Sequence, residues 1–221
     1  MYRWDFAPVW ANADLLVAGL AATLHITGTA FAFGNPLGLA LALARLSSRR
    51  ALRLPAGAVI EVLRTMPPRV QLFWFFFALP ILLRVEMTPF VAAALTFSIQ
   101  SAAFFAEVFR GGIVSVERGQ CEAGRALGMT PRQLLRRVVL PQALRRMLPA
   151  LTHRGIEIVT MSTLASAVAY VELLQRGKLL APLHFNPIGT YTVIAVVFLL
   201  GLLPLVQATY WPERHLGRVD R

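Results

Sequence analysis

Uncharged apolar segments alternate along the chain with short polar segments, and this alternation predicts membrane-spanning helices. Residues 15–44 contain no formally charged side chain. A helix of this length spans about 45 Å, which exceeds the ~30 Å hydrocarbon core of a bilayer. Further apolar segments follow at 54–83, 90–113, 155–171 and 188–211. The pattern therefore predicts an all-α, polytopic membrane protein with about five transmembrane helices.

Prolines and capping residues mark where these segments are expected to break. Tandem prolines at Met66-Pro67-Pro68 interrupt the second segment, and because they remove two backbone donors they must kink or break the helix. Inside a membrane, such a break is tolerated only where protein or water covers the freed backbone groups. Thr88-Pro89 is expected to start the third helix. Residues 172–187 contain one glycine and two prolines and are predicted to form a loop.

One long polar segment, residues 114–150, separates the third and fourth apolar segments. Gly128 is predicted to end a first helix in the left-handed conformation that glycine adopts readily. Thr130 as N-cap, Pro131 as first helical residue and Gln133 as the partner in a capping box are predicted to start a second helix. We therefore expect a folded helix-turn-helix element here, in preference to a solvated basic linker.

The composition agrees with a membrane protein. The chain is 57% hydrophobic and 15% charged, against roughly 45–50% and about 25% in soluble domains. A formal net charge of +11 would also suit a nucleic-acid-binding protein. The positions of the basic residues along the five predicted spans decide between these two classes.

The basic residues fall unequally on the two sides of the predicted membrane. The side of the 114–150 segment carries Arg45, Arg49, Arg50, Arg53, Arg118, Arg125, Arg132, Arg136, Arg137, Arg145, Arg146, Arg214, Arg218 and Arg221. The other side carries Arg3, Arg84, Arg176 and Lys178. Because cytoplasmic loops are enriched in Arg and Lys, the 114–150 segment and the C-terminus are predicted to be cytoplasmic and the N-terminus external. The charge is thus a topology signal, and no nucleic acid is expected as a partner.

The chain lacks the sequence that ATP hydrolysis by a phosphate-binding loop requires. That loop needs a glycine-rich run ending in Lys followed by Ser or Thr, but Lys178 is the only lysine and Leu179 follows it. We therefore expect a non-catalytic chain that needs a separate ATPase subunit if its transport is ATP-driven. Cys121 is the only cysteine, which excludes an intrachain disulfide, and we expect no metal and no cofactor.

Polar residues inside the third segment are candidates for a solute pathway. Gln100, Phe104 and Glu107 recur at i, i+4 and i+7 and share one helix face, with Ser101 beside them. Such a face can also join neighbouring helices, so a pathway and a structural contact both fit the pattern. A secondary transporter or channel that uses Glu107 and Arg69 is the alternative function. An intramembrane protease and a purely structural subunit are further alternatives.

Arg69 follows the tandem prolines inside the second segment. Counting from Leu54 gives about 22 Å of helical rise, which is past the midplane of a ~30 Å core. A charge at this depth costs roughly 2.5–3.5 kcal/mol on insertion scales, so it should face protein or a wet cavity. Arg69 is expected either to pair with Glu107 or extend outward, or to face the pathway and attract a carboxylate-bearing solute.

Four segments together resemble the permease subunits of ATP-binding-cassette (ABC) importers, in their polar-amino-acid branch. The segments are Glu122-Ala123-Gly124 with Gly128 and Leu140-Pro141, which resemble the E-A-A loop, and Arg64–Pro67, Val70–Phe73 and Glu107–Ile113. Gly124 replaces the second Ala of the E-A-A pattern. In that family the loop forms a coupling helix that sits in a groove of the ATPase. The resemblance implies an ATPase-coupling role for Glu122, Ala123, Gly124, Gly128, Leu140 and Pro141.

The resemblance also implies which residues line the pathway. In the resembled permeases the third-span face reads N-S-x-x-Y-x-x-E, and an Asp in the fourth span joins it at the translocation site. Here Gln100 replaces the Asn, Phe104 replaces the Tyr, and Met161 stands where the Asp would fall. The positions that match the family pattern are Gln71, Ser101 and Glu107. We therefore expect a pathway for polar amino acids or related small solutes, with the particular solute left open.

The partners follow from the same resemblance. Five helices make half of a pathway, so residues 1–221 are expected to form a single transmembrane domain that pairs with a second permease subunit, as a homodimer or a heterodimer. Two ABC ATPase subunits and an extracytoplasmic solute-binding protein would complete the importer. The expected location is the bacterial inner membrane, with the lipid bilayer and a small-molecule solute as the remaining partners.

Overall fold

The structure is a computed structural model that describes residues 4–216, and within this range it contains helices and no strand. This confirms the all-α fold class. The α-helices are α1 (Ala7–Trp10), α2 (Ala13–Leu46), α3 (Arg50–Thr65), α4 (Pro68–Phe73), α5 (Leu79–Leu83), α6 (Pro89–Val114), α7 (Arg118–Ala126), α8 (Pro131–Leu134), α9 (Leu140–Ser162), α10 (Leu173–Leu183) and α11 (Pro187–Leu216). Trp74–Ala78 and Leu135–Val139 are π-helical, and Thr163–Val168 is a 3-10 helix. Arg3, Arg218 and Arg221 of the predicted charge asymmetry lie outside the described residues.

The number of helices in the described residues that can cross a membrane is three to five, and its upper value agrees with the five predicted spans. By length and composition, three single helices qualify: Ala13–Leu46, Pro89–Val114 and Pro187–Pro204. Two bent pairs also qualify: Arg50–Thr65 with Pro68–Leu83, bent by 99°, and Pro131–Val168 with Leu173–Leu183, bent by 51°. The described residues therefore provide three to five candidate spans.

Helices α2 and α6 pack closely through small residues of α2. A Cβ added at Gly38 would lie 2.6 Å from the Cβ of Phe105, and one added at Gly34 would lie 3.0 Å from the Cβ of Ser101. Glycine lets membrane helices approach each other at this distance. Phe105 is fully buried at the contact. The close contact fixes the orientation of α6 and hence of the polar residues on its other faces.

The predicted break in the second segment is confirmed. Helix α3 ends at Thr65 and α4 begins at Pro68. Because Pro67 has no N–H, the Leu63 carbonyl loses its helical donor. Gln71, which is 3% exposed, supplies a replacement: its Nε2 donates to the Leu63 oxygen at 3.2 Å. One of the backbone groups freed by the prolines is therefore covered by a side chain from the next helix.

The predicted start of the fourth segment at residue 155 is not a helix boundary. Helix α8, a π-helical turn and α9 follow one another directly, so that Pro131–Val168 is one helical unit. The arginines in the second half of the 114–150 segment lie on this unit, namely Arg132, Arg136, Arg137, Arg145 and Arg146. A helix can carry them because charged side chains remain solvated where the helix extends beyond the hydrocarbon core.

The prediction of a loop at 172–187 is wrong for residues 173–183, which form α10. Glu172 caps this helix, since its carboxylate accepts hydrogen bonds from the N–H groups of Leu174 at 2.7 Å and Gln175 at 2.8 Å. Gly177, the one glycine of this segment, favours a loop on sequence grounds alone. It packs instead against Ile194 of α11, whose side chain occupies the space that a Cβ would need. The glycine therefore serves close packing between α10 and α11.

Candidate functional site

The α6 face predicted as a pathway is largely buried against neighbouring helices. Gln100 is 2% exposed and Ser101 is fully buried. Gln100 Oε1 and Ser101 Oγ have no hydrogen-bond partner among the described residues, and the same holds for Gln71 Oε1 on α4, which packs against α6. Most buried polar atoms have a partner. These three oxygens are therefore buried acceptors that the described residues leave unpaired.

Glu107, at the end of the same face, is held by two arginines. Its Oε1 lies 2.9 Å from Arg45 Nη1, and its Oε2 accepts hydrogen bonds from Arg110 Nη2 at 2.8 Å and Nε at 3.0 Å. Arg45 also lies 3.4 Å from Glu61 on α3. The cluster joins the end of α2 to α3 and α6. The sequence pattern predicts only a topology role for Arg45, because its contact with Glu107 depends on the packing of α2 against α6.

Arg69 does not pair with Glu107. Both carboxylate oxygens of Glu107 already face Arg45 and Arg110, whereas Arg69 is exposed and forms no ion pair within 4.0 Å in the described part of the chain. It lies in the first turn of α4, directly after the proline break. The predicted pathway role of Arg69 stays a prediction.

Arg154 of α9 connects predicted pathway residues of two helices, although the sequence pattern did not single it out. It is 5% exposed, and its Cζ lies 4.0 Å from the centroid of the Phe104 ring. Its Nη2 lies 3.6 Å from Met161 Sδ, and its Nη1 donates to Glu157 Oε2 at 2.6 Å. The spacing i, i+3, i+7 places Arg154, Glu157 and Met161 on one face, but the predicted span began after Arg154 and concealed this signal.

The turn in the 114–150 segment has the predicted geometry. Gly128 has a φ of 75°. Its N–H donates to the Arg125 carbonyl at 2.9 Å, and the Met129 N–H donates to the Gly124 carbonyl at 3.1 Å. These two bonds form a Schellman motif, which ends α7 and satisfies carbonyls that the helix would otherwise leave unpaired. The predicted helix end at Gly128 is confirmed.

The capping box that starts the next helix is also present. Thr130 Oγ1 accepts a hydrogen bond from the Gln133 N–H at 3.3 Å, and Gln133 Oε1 accepts one from the Thr130 N–H at 2.9 Å. Pro131 occupies the first turn. Residues 118–134 therefore form a folded helix-turn-helix element, called the α7–α8 element below.

Exposure divides the predicted coupling residues into two groups. Those with exposed positions are Glu122, Ala123, Gly128, Leu140 and Pro141. Gly124 is buried, and a Cβ added there would lie 2.6 Å from Leu134 Cδ1. Gly124 therefore joins α7 to α8 and offers no surface to another molecule. Leu127, which the sequence pattern did not single out, is 79% exposed at the tip of the element.

Comparison with known proteins identifies relatives over nearly the whole chain. Residues 34–216 match the family described as binding-protein-dependent transport system inner membrane component. The chain is similar to the glutamine transport system permease protein of Escherichia coli, with 34% identity over 204 residues that cover 92% of this chain and 93% of the relative. It is also similar to the L-cystine transport system permease protein of Bacillus subtilis, with 35% identity over 207 residues that cover 92% and 87%.

Solved structures give the same result. The crystal structure of an amino acid ABC transporter with histidines matches with a TM-score of 0.90 and 30% identity, over 97% of this chain and all of that chain. The inward-facing MetNI methionine ABC transporter matches with a TM-score of 0.73 and 26% identity, over 94% and 97%. The chain therefore belongs to the family of binding-protein-dependent transport system inner membrane components, the multi-pass permease subunits of ABC importers.

Proposed function

We propose that this chain forms half of the translocation pathway of an importer for polar amino acids or related small solutes. The observation that carries the proposal is the α6 face, where buried oxygens of Gln100 and Ser101 lack partners among the described residues and Phe104 meets α9 through Arg154. The names of similar permeases include glutamine and L-cystine, and one similar solved structure contains histidines. Such solutes carry donors and carboxylates that suit a polar site of this kind.

A separate ATPase drives this transport by docking on the α7–α8 element. Three observations support the docking role. The element is capped at its turn, Glu122, Ala123 and Gly128 are exposed on it, and Leu127 is exposed at its tip. Arginines beside the turn can pair with acidic groups of the ATPase. They are Arg132, Arg136 and Arg137, which line one groove with Thr130 and Gln133. The chain itself remains a non-catalytic subunit.

A second permease subunit completes the pathway. Large apolar side chains are exposed along Pro68–Leu83, the second half of the pair of helices bent by 99°, where lipid or another permease can cover them. These are Val70, Phe73, Trp74, Phe77, Ile81, Leu82 and Leu83.

The N-terminus faces outward, where an extracytoplasmic binding protein delivers the solute, and the α7–α8 element and C-terminus face the cytoplasm. ATP binding closes the ATPases, draws the two coupling elements together and opens the pathway outward.

The alternative of a secondary transporter is not favoured. It requires an intramembrane charged group that can exchange its ion-pair partner, or bind and release a proton, during transport. Glu107, the carboxylate proposed for that role, has both oxygens held by Arg45 and Arg110. Nothing in such a transporter would need the capped α7–α8 element.

Reconstitution of the importer tests the proposal. Proteoliposomes would contain this chain, its ATPase and its solute-binding protein, and the measurement is uptake of radiolabelled L-glutamine, L-histidine and L-cystine. We expect uptake of at least one of these solutes, and only when ATP and the ATPase are both present. Uptake that continues without ATP, or a chain that retains no ATPase on purification, would contradict the proposal.

A further inference from the structure

We propose that Arg154 binds a carboxylate of the transported solute. This inference rests on the proposed function, because it assigns a binding role inside the proposed pathway. Arg154 lies on α9 with its guanidinium between Phe104 of α6 and Met161 of α9. These are two of the residues at which the sequence predicted the solute site.

The guanidinium of Arg154 has one edge without a strong acceptor. Its Nη1 is occupied, since it donates to Glu157 Oε2 at 2.6 Å. Its Nη2 reaches only Met161 Sδ at 3.6 Å, and a thioether sulfur is a weak acceptor. Its Nε is buried without a hydrogen-bond partner among the described residues. Nε and Nη2 together form the edge of a guanidinium that can hold both oxygens of one carboxylate.

Burial makes this open edge chemically significant. Arg154 is 5% exposed, and a buried charge is normally fully paired. Glu157 pairs with it incompletely: the Glu157 side chain is 43% exposed, and its other oxygen lies 3.6 Å from His153 Nε2. A solute carboxylate would supply the acceptors that Nε and Nη2 lack.

A second guanidinium adds positive charge at the same place. The Cζ of Arg64 on α3 lies 5.3 Å from the centroid of the Phe104 ring, which Arg154 also contacts. Arg64 forms no ion pair within 4.0 Å in the described part of the chain. Two arginines therefore meet at one aromatic ring with Glu157 as the only carboxylate bonded to either of them among the described residues. Glu107 also interacts electrostatically with Arg64, but its carboxylate is already held by Arg45 and Arg110. The two guanidiniums at the Phe104 ring therefore favour a further anionic group.

The neighbouring side chains suit a solute that enters and leaves. Met161, which covers the open edge, is unbranched and flexible and can move aside without strain. The Phe104 ring lies against the guanidinium and can stabilise its charge through a cation–π contact. Gln100 Oε1, one helical turn away on the same face of α6, is an unpaired acceptor for an ammonium group. An amino acid offers both groups.

Direct binding to the permease tests the assignment. The assembly of this chain with its ATPase would be placed in nanodiscs without the solute-binding protein, so that the affinity reports on the pathway alone. Radiolabelled L-histidine and L-glutamine would be competed with L-histidinamide and L-glutaminamide, in which a neutral amide replaces the carboxylate. We expect the wild-type chain to prefer the acid by about tenfold or more, because the amide leaves the guanidinium unpaired.

Substitution of Arg154 should remove this preference. Arg154→Gln is expected to weaken binding of the acid by about tenfold and to leave binding of the amide within about twofold. Arg154→Lys keeps the charge and loses the two-donor edge, so it should retain an intermediate preference. Arg176→Gln, which removes a guanidinium from α10, is the matched control and should keep the wild-type preference.

The outcomes separate this inference from the proposed function. Equal losses for acid and amide, or an unchanged preference in assembled Arg154→Gln, would overturn the role of Arg154 while leaving the importer intact. If Arg154→Gln fails to assemble with the ATPase, the acid-to-amide ratio of Arg154→Lys decides, and a wild-type ratio overturns the inference. A wild-type importer that takes up none of the solutes would overturn the proposed function itself.

Discussion

Gln71 Nε2 donates a hydrogen bond to the Leu63 carbonyl oxygen at 3.2 Å, across the break between α3 and α4. The carbonyl is available because Pro67 cannot donate to it. A backbone acceptor left unpaired in a membrane costs free energy, and Gln71 removes that cost for Leu63. The break therefore belongs to the folded structure and is held by a specific side chain.

Removal of this bond should destabilise the fold. Gln71→Leu is expected to lower the free energy of unfolding by about 1–3 kcal/mol, since it leaves the Leu63 carbonyl unpaired. Denaturant unfolding in detergent measures the change. Gln120→Leu is the control, because Gln120 is exposed and its Oε1 accepts only from Gln142. A Gln71→Leu variant as stable as the Gln120→Leu variant would show that the bond contributes nothing.

The ion pair between Arg45 and Glu107 should be coupled energetically. The two side chains are 25% and 19% exposed and their charged atoms lie 2.9 Å apart. In a double-mutant cycle with Arg45→Leu and Glu107→Leu, we expect an interaction term of about 0.5–3 kcal/mol in the unfolding free energy. The same cycle with Arg49→Leu in place of Arg45→Leu should be additive. Additivity in both cycles would mean that the pair does not hold α2 to α6.

The effect of Arg69 on transport should depend on the charge of the solute. It is exposed beside the proline break and has no ion pair among the described residues, so it can attract an anionic solute toward the pathway. Arg69→Leu is expected to raise the KM for glutamate in the reconstituted importer more than the KM for glutamine. Equal changes for both solutes, or no change, would remove the selective role.

Sequence patterns predicted the parts of the fold that depend on neighbouring residues. The break at Met66-Pro67-Pro68, the left-handed Gly128 and the capping box of Thr130 with Gln133 are all determined within a few residues. Proline stereochemistry and side-chain caps act locally. Their predicted positions therefore agree with the structure.

The remaining features depend on contacts between distant residues. Gly177 favours a loop when considered alone, but in the structure it provides space for Ile194 of α11 within a helix capped by Glu172. Arg154 is separated from Phe104 by many residues, and only the packing of α9 against α6 brings them together. No local pattern encodes either contact.

The membrane orientation can be tested by chemical labelling. In a Cys121→Ser background, single cysteines would be placed at Thr130 in the α7–α8 element and at His184 after α10, both of which are exposed. We expect an impermeant thiol reagent to label the cysteine at 184 in intact cells and the cysteine at 130 only in inside-out vesicles. Labelling at position 130 in intact cells would show that the α7–α8 element faces outward, and it would contradict the predicted orientation.

The proposed coupling role of the α7–α8 element should depend on the backbone of Gly128. Its φ of 75° is a conformation that costs an ordinary residue about 1–2 kcal/mol, and β-branched residues resist it most. Gly128→Val should therefore distort the turn, and Glu122→Arg should change the charge of the exposed face. Both variants are expected to insert in the membrane. Gly119→Ala is the control, because an added Cβ there meets nothing within 4 Å.

The number of solute molecules transported per ATP hydrolysed tests the central claim most directly. It would be measured in proteoliposomes that contain the complete importer, with wild-type, Gly128→Val, Glu122→Arg and Gly119→Ala chains. Docking on the α7–α8 element predicts that this ratio falls several-fold in Gly128→Val and Glu122→Arg, or that the ATPase no longer associates with them, while Gly119→Ala matches the wild type. Wild-type ratios in both Gly128→Val and Glu122→Arg would contradict the account.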